Sequence, residues 1–358
     1  MAEGGSTGLE GGGAQPSPPP SKERARGALL GLAVGDALGT TLEFLEVKAP
    51  PFPTLASGPH DDIVGGGPFR LVPGQVTDDT QMACCLAASL AARGRLDVDD
   101  VTARYVVWQE HAFDIGGQTA IALNAVREGA QPSRAGRELW IESAQGPPAG
   151  NGSLTRTAPI GVLLAGDAHA RRAASLAESA ITHYDPRCRL ACAAFNAAVA
   201  EALLGAATPI ALQEAARREL WSATALLRAE GGEGAAALSP AVRDLEEDLA
   251  LAGQDDPRLY GPALHLHRNQ GFVRVAFRLS FWEILHAPSF EAAVVDAVNR
   301  GGDADTNGAI TGALAGALHG EHAIPARWRK RVLEAVPREE GPLRDVYHPK
   351  ALLAVLKR

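Results

Sequence analysis

The sequence predicts an all-α fold, and three features of its composition support this prediction. Aromatic residues make up only 5% of the 358 residues, whereas alanine is abundant and glycine occurs 39 times. Small side chains let helix backbones approach closely, which favours helices packed on helices over an aromatic-rich sheet. Runs in which β-branched residues alternate with polar ones, as strands require, are scarce. We therefore expect a compact bundle of helices.

Segments with apolar residues at helical spacing, or with strong helix formers, alternate with connections rich in glycine and proline. Order is expected to begin near Ser21, which stands two residues before Glu23 and is suited to cap a helix. Residues 229–240 are predicted to form a surface loop. The predicted helices span residues 22–38, 79–93, 97–111, 117–128, 158–166, 171–183, 187–205, 210–228, 240–252, 270–286, 290–299, 305–319 and 325–336.

Two other segments are predicted to lack regular structure. Residues 1–20 are dominated by glycine, proline and serine, so we predict a disordered tail that buries no apolar face. The connection at 44–76 contains six helix-breaking prolines. A loop of this length inside a domain is usually functional or mobile. No repeat or clear linker divides the rest, so residues 21–358 are predicted to form one domain.

Charge and cysteine content exclude several classes of protein. With 34 basic and 42 acidic residues the net charge is −8, which makes a nucleic-acid partner unlikely because phosphate binding needs a cationic face. No apolar stretch reaches the roughly 18–20 residues that span a bilayer, and no signal peptide is recognisable. The four cysteines (Cys84, Cys85, Cys188 and Cys192) lack zinc spacing and are predicted to be buried core residues. We expect a soluble, cytoplasmic monomer.

Two sets of glycines recur at intervals of four residues, and each set would form a flat stripe on a helix. Glycine in a helix interior costs about 1 kcal/mol relative to alanine, so some compensation is expected. Close packing of helices is one interpretation. The other is that the two stripes also hold neighbouring acidic clusters at a fixed separation. The stripes are Gly27, Gly31 and Gly35, and Gly308, Gly312 and Gly316.

Acidic residues cluster next to both stripes. Asp36 follows the first stripe, with Glu43 seven residues later, and the motif Asp303-Ala304-Asp305-Thr306 precedes the second. A similar motif, Thr77-Asp78-Asp79-Thr80, opens another predicted helix. Carboxylates commonly cap helix starts, and this reading remains open. However, carboxylates so close together repel one another unless a cation lies between them. Oxygen ligands alone favour Mg²⁺, Mn²⁺ or Ca²⁺ over zinc.

Three other segments carry candidate binding residues. Gly150-Asn151-Gly152-Ser153 permits close backbone approach, and its N–H groups could form an anion-binding concavity, an interpretation that the nearby Arg156 favours slightly. A plain loop is the alternative. His183 ends a predicted helix, where histidine is more often a structural cap than a ligand. Asp114 precedes a turn that contains Gly116 and Gly117.

Together these motifs resemble those of the ADP-ribosylglycohydrolases. They are similar in particular to the bacterial dinitrogenase-reductase-activating glycohydrolases. The resemblance runs from about residue 22 to residue 336, in the family's order. The combination of TDDT with GGDADTNGAI is its most specific part. The motifs are GLAVGDALGTTLE, TDDT, DIGGQT, GNGSLTR, THYDP and GGDADTNGAITGALAGA.

The resemblance implies an all-α orthogonal bundle with a dinuclear Mg²⁺ or Mn²⁺ centre at one end. By matching positions, it implies the following roles. Metal ligands would be Thr77, Asp78, Asp79, Asp303, Asp305 and Thr306. Catalytic residues would be Glu43, Asp114 and Asp303. Substrate-binding residues would be Asp36, Gly116, Gly117, Gly150, Asn151, Gly152, Ser153 and His183.

The implied activity is metal-dependent hydrolysis that removes ADP-ribose from a modified protein, with arginine as the expected attachment site. Such a reaction passes through an oxocarbenium-like state. Two metals can orient the ribose hydroxyls and lower the pKa of a bound water, and an acidic residue can protonate the leaving group or take a proton from water. An O-linked, serine-type substrate is the alternative within the same class. A non-catalytic ADP-ribose-binding protein and an unrelated Mg²⁺ phosphohydrolase are alternatives from other classes. The retained aspartates argue against the non-catalytic reading.

Overall fold

Helices supply nearly all the regular structure of this chain in a computed structural model that describes residues 19–47, 52, 54–55, 59–143, 148–205, 207–336 and 344–357. Among these residues, β-pairing is limited to three isolated bridges. The prediction of an all-α fold is therefore confirmed. Most of the predicted tail at 1–20 lies outside the described residues.

The α-helices are numbered in chain order. They are α1 (Lys22–Gly39), α2 (Asp78–Arg93), α3 (Val98–Gln109), α4 (Gly117–Arg127), α5 (Pro132–Glu142), α6 (Gly152–Arg156), α7 (Ala158–Leu163), α8 (Ala168–Thr182), α9 (Pro186–Leu204), α10 (Pro209–Glu230), α11 (Ala235–Ala252), α12 (Val273–His286), α13 (Phe290–Asn299), α14 (Ala304–His319), α15 (Ala326–Glu334) and α16 (Pro349–Ala354). Short 3-10 helices lie at Thr40–Leu42, Glu321–Ala323 and Val355–Lys357.

Every predicted helix has a counterpart, but three helices were missed. Helices α5 and α16 both begin with a proline, which occupies the first helical position, where its missing N–H and fixed φ are tolerated. Helix α6 has only five residues, too few to show a periodic pattern. The surface loop predicted at 229–240 was also wrong over most of its length, because α11 begins at Ala235 and contains Pro240.

Helices α1 and α14 pack antiparallel along the two glycine stripes, and we call this contact the glycine seam. Gly27 lies against Gly316, Gly31 against Gly312, and Gly35 against Gly308. A Cβ atom on any of these six residues would overlap the carbonyl oxygen of its partner. The seam therefore packs the core, and it also brings the C-terminal end of α1 to the N-terminal end of α14.

Apolar side chains surround the glycine seam. The main cluster includes Leu29 and Leu30 of α1 together with Phe277, Phe281 and Trp282 of α12. A smaller cluster around Trp108 joins α2, α3 and α8. All four cysteines are free and buried, as predicted. In the parts of the chain that the structure describes, no helix combines the length and hydropathy that a membrane span requires.

We expect Gly31→Ala to lower the free energy of unfolding by roughly 1–3 kcal/mol, which is typical of overpacking, although alanine is the better helix former. The added methyl group would overlap the Gly312 carbonyl and force α1 and α14 apart. Urea denaturation measures this loss. The matched control is Gly166→Ala, because a Cβ at Gly166 meets no atom within 4 Å. Equal stability of the two variants would contradict the role of the seam.

Candidate active site

A cavity of about 280 Å³ lies where α1 ends and where α2, α4, α6 and α14 begin. Most of the predicted site residues line it. These are Glu43, Asp78, Asp79, Asp114, Gly116, Gly117, Gly150, Asn151, Gly152, His183, Asp303, Asp305 and Thr306. The sequence therefore identified residues from six separate segments that the fold brings together.

Glu43 caps the N-terminus of α14 from outside that helix. Its Oε2 accepts hydrogen bonds from the backbone N–H groups of Ala304 (2.9 Å) and Asp305 (3.3 Å). Carboxylates are stabilised at helix N-termini because free N–H groups and the positive end of the dipole lie there. Since Glu43 supplies the cap, the side chain of Asp303, at the N-cap position, makes no capping bond and faces the cavity.

Two left-handed glycines allow this arrangement. Gly301 (φ 71°) and Gly302 (φ 70°) immediately precede the helix start, and a Cβ on Gly301 would overlap the carbonyl oxygen of Leu45. The backbone on both sides is paired, because Phe44 N–H donates to the Gly302 carbonyl (2.7 Å) and Gly302 N–H donates to the Leu45 carbonyl (2.9 Å). The segment that carries Glu43 is thus tied to the start of α14.

Asp36 plays the corresponding role for α2, and it does so from beneath the cavity. Its fully buried carboxylate accepts hydrogen bonds from the N–H and hydroxyl groups of Thr77 and Thr80, at 2.5–3.2 Å. Asp36 was predicted to bind substrate and Thr77 to bind metal. In the structure neither residue lines the cavity, and the Thr77 hydroxyl donates to Asp36.

Six carboxylates line the cavity and could hold a cation, and we call them the acidic wall. They are Glu43, Asp78, Asp79, Asp114, Asp303 and Asp305. Ligand oxygens of Glu43, Asp303 and Asp305 lie within 4.8 Å of one another. Oδ2 of Asp79 is buried and has no hydrogen-bond partner among the described residues, although the Thr306 hydroxyl donates to Oδ1 at 3.4 Å. An oxygen-only donor set with an unpartnered carboxylate oxygen fits a hard divalent cation.

The carboxylates of the acidic wall, and the buried Asp36 next to it, favour proton uptake or cation binding. Burial, and next to it the charge of Asp305, raise the pKa of Asp36 to about 8 and the pKa of both Asp114 and Asp303 to about 7. The same two causes raise the pKa of Glu43. Burial also raises the pKa of both aspartates at the start of α2. These groups resist ionisation because each loses water and faces like charges.

Glycines and an imidazole also line the cavity, and we call Gly150, Gly152 and His183 the glycine wall. A Cβ on either Gly150 or Gly152 would lie 3.1 Å from a ring atom of His183, so only glycine fits without displacement of the ring. The Gly150 N–H donates to Gln118 Oε1 (3.1 Å), and the Asn151 N–H donates to the Gly271 carbonyl (3.0 Å). These two N–H groups therefore have partners within the protein.

Two further expectations for this segment need correction. Arg156 does not support an anion site, because its guanidinium is fully buried and paired with Glu178 (2.6 Å). Ser153 is also fully buried, and its hydroxyl bonds to Ser179 (2.9 Å), away from the cavity. Asn151 meets the acidic wall instead, where its amide donates to Asp303 Oδ2 at 2.7 Å.

The sequence interpretation missed several lining residues. Gln118 and Thr119 follow the predicted glycine turn directly, so their positions could have been inferred from it. Phe44 had no such signal: it is 55% exposed and holds a left-handed backbone (φ 62°), which is rare for a bulky residue. Its ring packs edge-on against Phe69 (6.4 Å between centroids), and Phe69 packs against Phe113 (5.8 Å). We call these three residues the aromatic rim.

Sequence and fold comparisons agree on the family. Residues 17–353 match the sequence profile of ADP-ribosylglycohydrolases. The chain belongs to this family. The resemblance drawn from its motifs is therefore confirmed.

Individual family members cover most of the chain. The ADP-ribosylarginine hydrolase Tri1 of Pseudomonas putida (strain GB-1) is 32% identical over 330 residues, 88% of this chain and 76% of that protein. The ADP-ribosyl-[dinitrogen reductase] glycohydrolase of Rhodospirillum rubrum is 31% identical over 328 residues, 90% and 94% of the two chains. A solved structure of an ADP-ribosylglycohydrolase-related protein complex matches with a TM-score of 0.66 and 30% identity, covering 94% and 98%.

Asp305→Asn should stabilise the metal-free protein at pH 8.5 by about 1 kcal/mol or more, an effect that shrinks at pH 5. The neighbouring carboxyls have pKa values raised above the 3.8 of an ordinary aspartate, so the folded state binds more protons and stability falls progressively as pH rises from about 4 to about 7–8. The substitution removes the charge that helps to raise them. Urea denaturation in EDTA at both pH values measures the difference.

The control for this experiment is Asp255→Asn, which removes an exposed carboxylate distant from the acidic wall. It should have little effect at either pH. A destabilising effect of Asp305→Asn that is the same at pH 5 and pH 8.5 would contradict the assigned repulsion.

Proposed function

We propose that this chain is a metal-dependent hydrolase that releases ADP-ribose from modified proteins by cleaving the N-glycosidic bond to arginine. The observation that carries the proposal is the cavity itself, which is lined by both the acidic wall and the glycine wall. The names of the relatives from Pseudomonas putida and Rhodospirillum rubrum support an ADP-ribosyl substrate. The first of them supports arginine as the attachment site.

We propose two Mg²⁺ or Mn²⁺ ions as the cofactors. The donor oxygens of the acidic wall suit such ions, since the wall offers Asp79 Oδ2 without another partner. When bound, the ions would supply Lewis-acid polarisation of ribose hydroxyls and of water. Thr77 is a weaker candidate ligand because it does not line the cavity. The remaining proposed ligands are Asp78, Asp79, Asp303, Asp305 and Thr306.

Glycosidic cleavage also needs a group that moves a proton to the leaving group or from water. Asp114 is our candidate, since it lines the cavity and burial raises its pKa to about 7. Glu43 is the alternative. One of its oxygens already accepts two backbone hydrogen bonds at the start of α14, which ties it to the structure of that helix. These hydrogen bonds of Glu43, together with the raised pKa of Asp114, favour Asp114 for proton transfer.

The aromatic rim favours arginine over serine as the leaving group. Phe44 lines the cavity beside Glu43, and the rim continues through Phe69 to Phe113, the neighbour of Asp114. Guanidinium groups stack on aromatic faces, whereas a serine hydroxyl gains no comparable interaction. An O-linked substrate remains the second candidate. A non-catalytic ADP-ribose-binding role is less consistent with a complete set of cavity-lining aspartates.

The wild-type protein is expected to release free ADP-ribose from ADP-ribosyl-arginine when Mg²⁺ or Mn²⁺ is present, and Asp303→Asn should lower kcat at least about 100-fold. The amide would keep the size of the side chain but lose the charge that the proposed cations require. Chromatographic detection of ADP-ribose measures the product. Asp255→Asn again serves as the matched control and should retain full activity.

Two results would contradict this proposal. Release of inorganic phosphate instead of intact ADP-ribose would indicate a phosphohydrolase. Tight ADP-ribose binding without hydrolysis of either arginine- or serine-linked substrate would indicate a binding protein.

Phe44→Ala should raise KM for ADP-ribosyl-arginine between about twofold and thirtyfold, which corresponds to a cation–π contribution of about 0.5–2 kcal/mol. KM for an ADP-ribosyl-serine peptide should change less, because serine cannot stack on the ring. Steady-state kinetics with both substrates measure the contrast. Trp221→Ala on α10 is the control, since Trp221 is a similarly exposed aromatic residue (60%) away from the cavity. Equal changes for both substrates would contradict the assigned role of the rim.

A further inference from the structure

A continuous chain of buried hydrogen bonds ends at the histidine of the glycine wall. Tyr105 donates its hydroxyl to Glu178 Oε1 (2.8 Å), and Arg156 donates to the same oxygen (2.6 Å). The Arg156 Nη2 group also donates to the Thr182 hydroxyl (2.8 Å), which lies 2.7 Å from Nδ1 of His183. All five side chains are at least 98% buried. We call this set the buried relay.

The chemistry of the relay determines which nitrogen of His183 carries a proton. Arginine can only donate, so the Thr182 oxygen accepts from Arg156. The Thr182 hydroxyl proton then needs an acceptor, and Nδ1 of His183 is the one that lies within hydrogen-bond distance among the described residues. Nδ1 therefore accepts, and in a neutral imidazole the proton resides on Nε2.

The surroundings also keep the ring neutral. Burial, and secondarily the charge of Arg156, lower the pKa of His183 well below its usual value. Arg156 remains charged beside Glu178, with Tyr105 stacked on its guanidinium at 4.8 Å. The Nε2 atom has no hydrogen-bond partner in the described part of the chain, and its ring edge lies against Gly150 and Gly152 at the cavity.

We propose that Arg156 and Thr182 are positioning residues that hold His183 as a neutral imidazole with its Nε2–H directed into the cavity, where it donates to an oxygen of the ADP-ribosyl group. This inference rests on the proposed function for the identity of the ligand. It adds that His183 recognises the ADP-ribosyl group as a neutral hydrogen-bond donor whose proton is held on Nε2. It also explains why a buried Arg–Glu pair, which costs desolvation, lies behind a binding wall.

Thr182→Val is the decisive variant, because valine keeps the shape and removes the hydroxyl that orients the ring. We expect the Kd of free ADP-ribose, measured by calorimetry, to rise about tenfold or more. KM should rise in parallel, while kcat stays within about threefold, since the relay touches no reacting atom. Thr182→Ser restores the hydroxyl and should bind within about threefold of the wild type.

Thr155→Val is the matched control. Thr155 lies on α6 next to Arg156 and is equally buried, but its hydroxyl has no partner among the described residues. Its binding of ADP-ribose should match that of the wild type. Wild-type affinity in a folded Thr182→Val protein would overturn the proposal.

Nitrogen-15 NMR of histidine-labelled wild-type protein gives a readout that needs no substrate. Wild-type His183, assigned with His183→Gln, should show the neutral Nε2–H pattern at pH 7. A charged ring or an Nδ1–H pattern would overturn the proposal. A wild-type protein that binds ADP-ribose with the expected tautomer but hydrolyses neither substrate would contradict the proposed function and leave the relay supported.

Discussion

The contact between α1 and α14 is the constraint on which the candidate active site depends. Six glycines allow the two backbones to approach without intervening side chains. The contact is antiparallel, so the end of α1 and the start of α14 are held together. Gly39 extends it at that end, where a Cβ would overlap the Ala304 carbonyl. The distance between the acidic motifs is therefore set by backbone packing and does not depend on flexible side chains.

This rigidity allows the chain to bury carboxylates that repel one another. Two of them satisfy helix N-termini, since Asp36 caps α2 and Glu43 caps α14. Those caps free the aspartates of the same motifs to face the cavity. The remaining repulsion is a cost in free energy that proton uptake or a bound cation offsets. A cluster of buried carboxylates is thus intrinsically unfavourable when all are ionised, and the close packing elsewhere compensates for it.

Local sequence patterns were sufficient for much of this structure. Helical spacing, the two glycine stripes and the paired acidic motifs are each contained within about ten residues, so they could be recognised directly. The unexpected contacts around the site involve partners distant in sequence. Asp36 and Thr77 are 41 residues apart, and nothing in the sequence around either residue indicates that the Asp36 carboxylate would cap α2. Arg156 likewise resembled an anion ligand until the fold placed Glu178 beside it.

The two walls of the cavity together determine how an ADP-ribosyl group would lie, if the proposed function holds. Six carboxyls line the acidic side, and two divalent cations carry fewer positive charges than these groups carry negative charges when all are ionised. A diphosphate is therefore disfavoured there relative to the neutral glycine wall. The Nε2–H of His183 offers it a donor without adding a charge that would bind free phosphate indiscriminately. In that orientation the ribose hydroxyls, which are neutral, would face the acidic wall, which includes Asp114.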